Sequence, residues 1–277
     1  MTVLEFTPIV FVISLFAGFL GSLTGLGGGV VVTPALTILL GVDIRYAIGA
    51  SLISVIATSS GAAAAFVRDG YSNIRIGMFL EIATTAGAVC GAFLATNVPV
   101  STLSIVFGVV LLHAAWQSNR RHQEGAAHLA DDSLSRRLRL EGSIGSGTSL
   151  ENYRAGRVKT GFSIMFAAGT LSGLLGIGSG ALKVIAMDQA MRIPFKVSTA
   201  TSNFMIGVTA AASAGIYLSR GYIAPGLAMP VMLGVLCGSL TGARLLPQLE
   251  VKTLRIVFGI VVGVMAIEMI WKGITGT

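Results

Sequence analysis

The sequence predicts an all-α fold: a polytopic membrane helix bundle built from two inverted tandem repeats of one unit. Three observations support it, namely a low charge content, a series of long apolar runs and an internal repeat marked by glycine. Of 277 residues, 53% are hydrophobic and 11% are charged, whereas a soluble domain carries about 25% charged residues. A chain with so few charges cannot cover a water-exposed surface with polar side chains. We therefore expect most of its surface to face lipid.

Apolar runs recur in both halves of the chain. About three in each half approach 20 residues, the length that crosses a bilayer as a helix. The longer runs lie near 9–28, 47–67, 76–95, 102–118, 160–177, 198–218, 225–243 and 254–271. Two shorter runs, 30–41 and 181–191, each follow a glycine cluster. We expect these two to be half-helices of broken or re-entrant segments.

A basic segment divides the chain into a first repeat over 1–118, a linker over 119–158 and a second repeat over 159–277. The linker is rich in arginine and includes a Gly/Ser run at 142–149. This composition predicts a mobile, solvated, cytoplasmic connection. A short basic helix over SLSRRLRLEG, lying at the lipid headgroups, is the alternative.

The two halves match without a gap when the second is shifted by 151 positions. Gly25 to Gly29 then meets Gly176 to Gly180, and Gly87-xxx-Gly91 meets Gly238-xxx-Gly242. Glycine at such density indicates unwound backbone in the first pair of clusters. The GxxxG pairs indicate close helix packing.

Charge placement bears on the orientation of the two copies, because cytoplasmic loops hold an excess of Lys and Arg. If each copy crosses an odd number of times, the basic linker and most basic loops lie on one side. Arg45, Arg220 and Lys272 remain on the other. We therefore predict inverted copies, with the linker in the cytoplasm and both termini outside.

Broken helices in inverted repeats hold substrate near the midplane of many secondary transporters. Half-helices that begin near Val30 and Ala181 direct free N–H groups at such a site, which favours an anion. Lys183, an ionisable group inside an apolar run, strengthens this interpretation. The predicted substrate-binding residues are Gly27, Gly28, Gly29, Ser51, Gly178, Ser179, Gly180, Lys183, Thr201, Ser202 and Asn203. No cofactor or metal is expected.

Two acids fall within or beside apolar runs. Asp188 precedes Arg192 by four residues, a spacing typical of a local helix pair. Glu81 lies near the inner end of a span, close enough to the surface to snorkel. Both are retained as candidate groups for proton coupling. Because the sequence has no clustered His, Cys or acidic residues at ligand spacing, we do not expect an enzyme.

The GLGGG and GIGSG clusters, the AIGASL and STATSNF segments and the Gly-Tyr loops of this duplicated chain resemble the sulfite exporter TauE/SafE family. The resemblance covers nearly everything outside 119–158. It implies movement of sulfite or organosulfonates such as sulfoacetate, usually outward, across a prokaryotic cell membrane. Ser179, in place of a glycine, and Ile185, opposite Pro34, depart from the pattern.

Three alternatives stay open: import of thiosulfate, transport of another small anion, and a passive anion channel. The resemblance associates thiosulfate uptake with membrane cysteines, and Cys90 and Cys237 do not align by the repeat. The expected partners are the lipid bilayer and a small anionic substrate, with no nucleic acid. Proton coupling and a homodimer are left open.

Overall fold

The computed structural model of the protein describes residues 3–24, 28–68, 72–118, 132–144, 151–245 and 251–275. The first copy contains α1 (Val3–Thr24), α2 (Gly29–Leu39), α3 (Ile44–Arg68), α4 (Ile74–Asn97) and α5 (Val100–Ser118). The linker contributes α6 (Ser133–Leu138), β1 (Glu141–Ile144) and β2 (Glu151–Arg154). The second copy contains α7 (Val158–Leu175), α8 (Gly180–Ile185) with a π-helical turn (Ala186–Ala190), α9 (Phe195–Ser219), α10 (Pro225–Leu245) and α11 (Val251–Thr275).

The long helices form because their apolar runs are continuous and because backbone N–H and C=O groups must pair internally in lipid. At 25 residues, α3 and α9 are each about 37 Å long, more than the ~30 Å hydrocarbon core. Among the described residues, α4, α7 and the 225–242 part of α10 are long and apolar enough to cross a membrane. Large apolar side chains such as Phe16, Ile82 and Trp271 point outward. The protein is a multi-pass membrane protein.

The two short runs are short helices, as predicted. Residues 29–39 form α2, and 180–190 form α8 with its π turn, so the two begin 151 positions apart. The next helices, α3 and α9, also begin and end 151 positions apart. The two copies therefore share their helix boundaries at the positions around the breaks.

Glycine fixes two seams in which a helix of one copy packs against a helix of the other. A Cβ atom on Gly87 would lie 2.1 Å from the carbonyl oxygen of Phe166, and one on Gly91 would lie 2.0 Å from that of Thr170. The same advance of four residues along both helices shows that α4 and α7 run parallel. In the matching seam between α10 and α1, a Cβ atom on Gly238 would clash with the carbonyl oxygen of Leu15. The close packing predicted for these glycines is confirmed.

The counterpart helices α3 and α9 pack with their chains running in opposite directions. Gly49, near the start of α3, adjoins Tyr222 after the end of α9, whereas Ser59, farther along α3, adjoins Gly207. Helices α5 and α11 pair the same way, since Gly108 adjoins Ala266 and Gly273 adjoins Ser101. Antiparallel counterparts are what an inverted pair of copies requires.

These directions give the bundle two faces. The terminal face is where α1 begins and α11 ends, and the linker face is the opposite one. At the terminal face, Nη2 of Arg45 donates to the carbonyl of Val98, and Nζ of Lys272 donates to that of Thr37. The linker face carries more of the described basic residues, namely Arg75, Arg136, Arg137, Arg139, Arg154, Arg157, Lys159, Arg192 and Lys196.

Part of the described linker is docked on the bundle, which the interpretation as a mobile, solvated connection did not predict. Leu140, Tyr153 and Ala155 are buried in an apolar cluster that includes Ile76 of α4 and Val197 of α9. The hairpin β1–β2 thereby covers part of the linker face. This docking could not be predicted from the sequence, because the few apolar residues of the linker are spread among polar ones. The predicted short basic helix is present as α6, with Arg136 and Arg137 exposed.

Asp132 ties the linker to the second copy. One carboxylate oxygen accepts from the backbone N–H of Leu134 and caps α6, while the other accepts from that of Val158 at the start of α7, each at 2.9 Å. The Val158 N–H is the main reason that the pKa of Asp132 is lowered, with help from the N–H groups of α6 and the charge of Lys159.

Candidate functional site

The break in the second copy has unwound backbone, as predicted. Gly176, Gly178 and Ser179 have φ values of 68°, 71° and 45°, all in the left-handed region. Glycine enters this region freely, but an L-residue such as serine pays about 1–2 kcal/mol. Ser179 holds this conformation although its own side chain makes no hydrogen bond. The backbone there is strained immediately before α8 begins.

The break in the first copy depends on close approach. Gly28 is right-handed, with φ −62° and ψ −24°. A Cβ atom there would lie 2.6 Å from Cγ1 of Val235, and one on Gly29 would lie 2.7 Å from Oγ of Ser51. Both positions therefore exclude a side chain. Gly27, the third glycine predicted for this part of the site, lies outside the described residues.

The two breaks meet beside α3. Oγ of Ser51 lies 2.9 Å from the carbonyl oxygen of Gly176 and 3.3 Å from that of Gly29, so one hydroxyl spans both breaks. Its counterpart, Ser202, donates to the carbonyl of Gly180 at 3.1 Å. We call this meeting point the junction. Its apolar wall includes Val55 and Ile206, which contact Gly178 and adjacent glycines.

The junction also contains an unused polar group. The Oγ atom of Ser179 is buried and has no hydrogen-bond partner. A buried hydroxyl without a partner costs free energy comparable to a lost hydrogen bond. Ser179 therefore retains a donor that a ligand at the junction could accept.

Lys183 is fully buried, on the first turn of α8. Its Nζ atom donates to Oγ1 of Thr209 at 2.5 Å and lies 3.9 Å from Oε2 of Glu81. Oγ1 of Thr209 lies in turn 2.6 Å from Oε1 of Glu81. We call Glu81, Thr209 and Lys183 the buried triad. It joins α4, α9 and α8, and thus both copies.

Glu81 does not snorkel, and that expectation is wrong. Glu81 is 7% exposed, because this position of α4 faces α9 and not the surface of the bundle. Oε1 also accepts from Thr85 at 3.1 Å, whereas Oε2 is buried without a hydrogen bond. An ionisable acid held this way inside a membrane protein is a candidate functional residue.

Two predicted anion donors are directed elsewhere. Oγ1 of Thr201 accepts from the backbone N–H of Asn73 at 3.0 Å, and Nδ2 of Asn203 donates to the carbonyl of Thr199 in its own helix. Asp188 lies half-buried in the π turn, and its local pairing with Arg192 stays a prediction. The structure thus brings together Gly29, Ser51 and the second break, and places Thr201 and Asn203 in structural contacts.

Thr209 and Thr85 are the polar partners that the sequence analysis missed. Both lie in apolar runs, where threonine also serves as an ordinary helix residue bonded to the preceding turn. One signal could have found Thr209: it aligns with Thr58 under the 151-residue shift. The partner of Glu81 could not be read from either helix alone.

Asn73 connects the linker face to both copies. Its side-chain oxygen caps α4 by accepting from Ile76 N–H, and its backbone N–H donates to Thr201. Nδ2 donates to Oη of Tyr153 at 2.9 Å and to the carbonyl of Glu141. Burial raises the pKa of Tyr153, against the opposing effect of the Asn73 hydrogen bond. The hairpin is therefore fastened to the ends of α4 and α9, the helices that carry Glu81 and Thr209.

Known proteins of one family match this chain over nearly its full length. The sequence model of the family described as sulfite exporter TauE/SafE matches residues 10–269. Probable membrane transporter protein YunE of Bacillus subtilis is 28% identical over 273 residues, 96% of this chain and 98% of that protein. Probable membrane transporter protein YdhB of Bacillus subtilis is 26% identical over 250 residues, 88% and 92%. A probable membrane transporter protein of Methanocaldococcus jannaschii is 26% identical over 279 residues, 95% of each. No solved structure shows significant similarity to the chain.

Proposed function

Since the chain belongs to the sulfite exporter TauE/SafE family, we propose that this membrane transporter carries a small sulfur oxyanion. Sulfite and organosulfonates such as sulfoacetate are the substrates that fit the family description best. We take outward movement as the direction, because the family is described as a sulfite exporter. We propose transport without catalysis.

The observation that carries the proposal is the fully buried Lys183 at the start of the half-helix that leaves the second break. A buried ammonium is unfavourable without a function or a partner, and in lipid it attracts anions. The unpaired hydroxyl of Ser179 lies four residues before Lys183, at the junction. Backbone N–H groups of a broken helix, one hydroxyl donor and one cation suit an oxyanion with several acceptor oxygens.

Within this proposal the glycines and serines of the junction have separate roles. Gly28, Gly29, Gly178 and Gly180 keep the site free of side chains, and Ser51 and Ser202 hold the breaks in register through the carbonyls of Gly29, Gly176 and Gly180. Ser179 and Lys183 supply the donors to the anion. Thr201 and Asn203 support α9 from their own contacts.

The inverted arrangement and the sidedness are part of the proposal. The antiparallel packing of α3 with α9 and of α5 with α11 supports inversion. The basic residues of the linker face support its placement in the cytoplasm. Single cysteines introduced at Ser133 and at Ser219 test this sidedness, since their helix ends are predicted to react with a membrane-impermeant reagent from opposite sides. Equal labelling from one side contradicts it.

Flux in proteoliposomes tests the substrate. Sulfite, sulfoacetate, thiosulfate and sulfate are compared at equal gradients, and we expect saturable transport of the first two. Thiosulfate as the preferred substrate supports the importer alternative, although Cys90 and Cys237 are both exposed on the outside of α4 and α10. Non-saturating flux at channel rates contradicts a secondary transporter, and absence of flux for all four anions contradicts the proposed substrate class.

A further inference from the structure

The buried triad has a charge balance that an incoming anion must disturb. Lys183 and Glu81 lie 3.9 Å apart, buried, and together carry no net charge when both are ionised. An anion that reaches Lys183 while Glu81 stays ionised leaves an uncompensated negative charge inside the protein. Buried charge without compensation is costly, and the usual response is a change of protonation.

The contact between the two charges is loose. Charge-assisted N–H···O bonds measure about 2.7–2.9 Å, whereas Nζ of Lys183 is 3.9 Å from Oε2 of Glu81 and bonds Thr209 directly. Oε2 has no hydrogen-bond partner at all. The ammonium is thus held near the carboxylate without being saturated by it, and a stronger acceptor can displace Glu81.

Thr209 accommodates both protonation states of Glu81. A hydroxyl has one proton to donate and can accept two hydrogen bonds. Its Oγ1 lies 2.6 Å from Oε1 of Glu81 and 2.9 Å from the carbonyl oxygen of Met205. With Glu81 ionised, Thr209 donates to Glu81. With Glu81 protonated, Glu81 donates to Thr209, which turns its own proton to Met205 while still accepting from Lys183.

Other charged groups on the surrounding elements are more remote from Glu81. Lys183 is the cation within 4.0 Å of its carboxylate. Most of the remaining titratable groups that the structure describes on the neighbouring elements lie toward the linker face: Arg75 on α4, Tyr153 on β2, Arg157 and Lys159 at the start of α7, Asp188 on the π turn, and Arg192 and Lys196 at the start of α9. Cys90 on α4 and Tyr217 on α9 lie farther along their helices, toward the terminal face. Thr85 and Thr209 are the uncharged donors to Glu81.

We propose that the carboxylate of Glu81 takes the place beside Lys183 that the transported anion needs. Glu81 must therefore take up one proton before the anion binds. The step balances as one proton added to the Glu81 carboxylate and one monovalent anion added beside a Lys183 that stays protonated. Anion and proton therefore move together, and the loaded site keeps the charge of the empty one. This inference rests on the proposed function, and it identifies Glu81 as the coupling residue.

Proton uptake on anion binding tests it in the wild-type protein. Purified transporter in weakly buffered detergent is titrated near pH 7.5 with methanesulfonate, an organosulfonate that carries a single negative charge at that pH, and the change in pH is recorded. We expect uptake of about one proton per bound anion, and an affinity that falls about tenfold per pH unit while Glu81 of the empty protein is ionised. Binding without proton uptake overturns the inference.

Substitutions at Glu81, at Thr209 and at a control position distinguish the role of Glu81 from general effects of removing an acid. Glu81→Gln should bind methanesulfonate with no proton uptake and with an affinity that no longer depends on pH. Glu268→Gln, the same change at an exposed position of α11, should keep the wild-type pH dependence. Thr209→Ser should keep proton uptake and Thr209→Val should reduce it. Full pH dependence in Glu81→Gln overturns the inference even if anion flux is normal.

Failure of the proposed function is distinguishable from failure of this inference. If the wild type neither binds nor transports sulfite, sulfoacetate or methanesulfonate, the proposed substrate class is wrong. If the wild type transports methanesulfonate and the flux creates no pH change across a proteoliposome membrane, the substrate stands and Glu81 is not a coupling residue. Acidification or alkalinisation of the lumen that follows the anion supports both.

Discussion

The two breaks occupy matching places in the two copies but differ in chemistry. Under the 151-residue shift, Lys183, Glu81 and Thr209 correspond to Val32, Met232 and Thr58. The second break has left-handed backbone at Ser179, whereas Gly28 in the first is right-handed. The two breaks thus share their helix boundaries, and only the second has the buried charged pair among the described residues. Within the proposed function, the first break closes the junction and the second carries its chemistry.

Transferring the charge to the first copy should have the largest effect. Val32 is 1% exposed, and Val32→Lys buries an ammonium with no acid beside it. We expect loss of several kcal/mol of stability, seen as a large fall in the thermal unfolding midpoint in detergent. The added change Met232→Glu should recover part of it, since Thr58 is already in place. No recovery would show that the two frames are less alike than their helix boundaries indicate.

Removing the charge from the second copy should have the next largest effect on stability. Lys183→Met leaves Glu81 buried without its cation, which typically costs about 3–5 kcal/mol. Lys183→Met combined with Glu81→Gln should be closer to wild type in unfolding midpoint, because no charge is stranded. Both proteins should lose sulfite binding. Sulfite affinity at the wild-type level in either would place the anion away from Lys183.

The serines of the junction should have smaller and unequal effects. Ser51→Ala removes a hydroxyl that lies near two carbonyls, and Ser202→Ala removes one that lies near a single carbonyl. Losing a buried hydrogen bond costs about 1–3 kcal/mol, so we expect the greater destabilisation from Ser51→Ala. Unfolding midpoints of the two variants provide the test. Equal shifts would mean that Ser51 does not hold both breaks.

Ser179→Gly should have the smallest effect on stability, and in the opposite direction. Glycine relieves the strain of the left-handed backbone at this position, so the free energy of unfolding should rise by up to about 1 kcal/mol. The same change deletes the unpaired donor at the junction. A more stable protein with weaker sulfite binding is the expected pair of results, and unchanged sulfite affinity would remove Ser179 from the site.

The helices could be predicted from sequence because each was encoded locally. Continuous apolar runs located the long helices from α3 onward to within four residues, whereas α1 begins six residues before its predicted run and ends four residues before that run ends. The glycine clusters located α2 and α8. The buried triad could not be found that way, because Glu81 and Lys183 are 102 positions apart and are brought together by the packing of α4, α8 and α9. The hairpin was missed for a related reason: Leu140 and Tyr153 acquire their burial from helices elsewhere in the chain.

The glycine seams have a consequence for how such a chain arose. Each seam joins one helix from each copy, α1 with α10 and α4 with α7, so neither copy can bury its own glycines. On the inverted arrangement that we propose, a single ancestral unit would have exposed both seam surfaces until it met a second unit running the opposite way through the same membrane. The ancestor is therefore expected to have worked as a pair of identical chains inserted in both orientations. Co-expression of residues 1–131 and 132–277 as separate chains should reassemble the bundle, whereas either fragment alone should not.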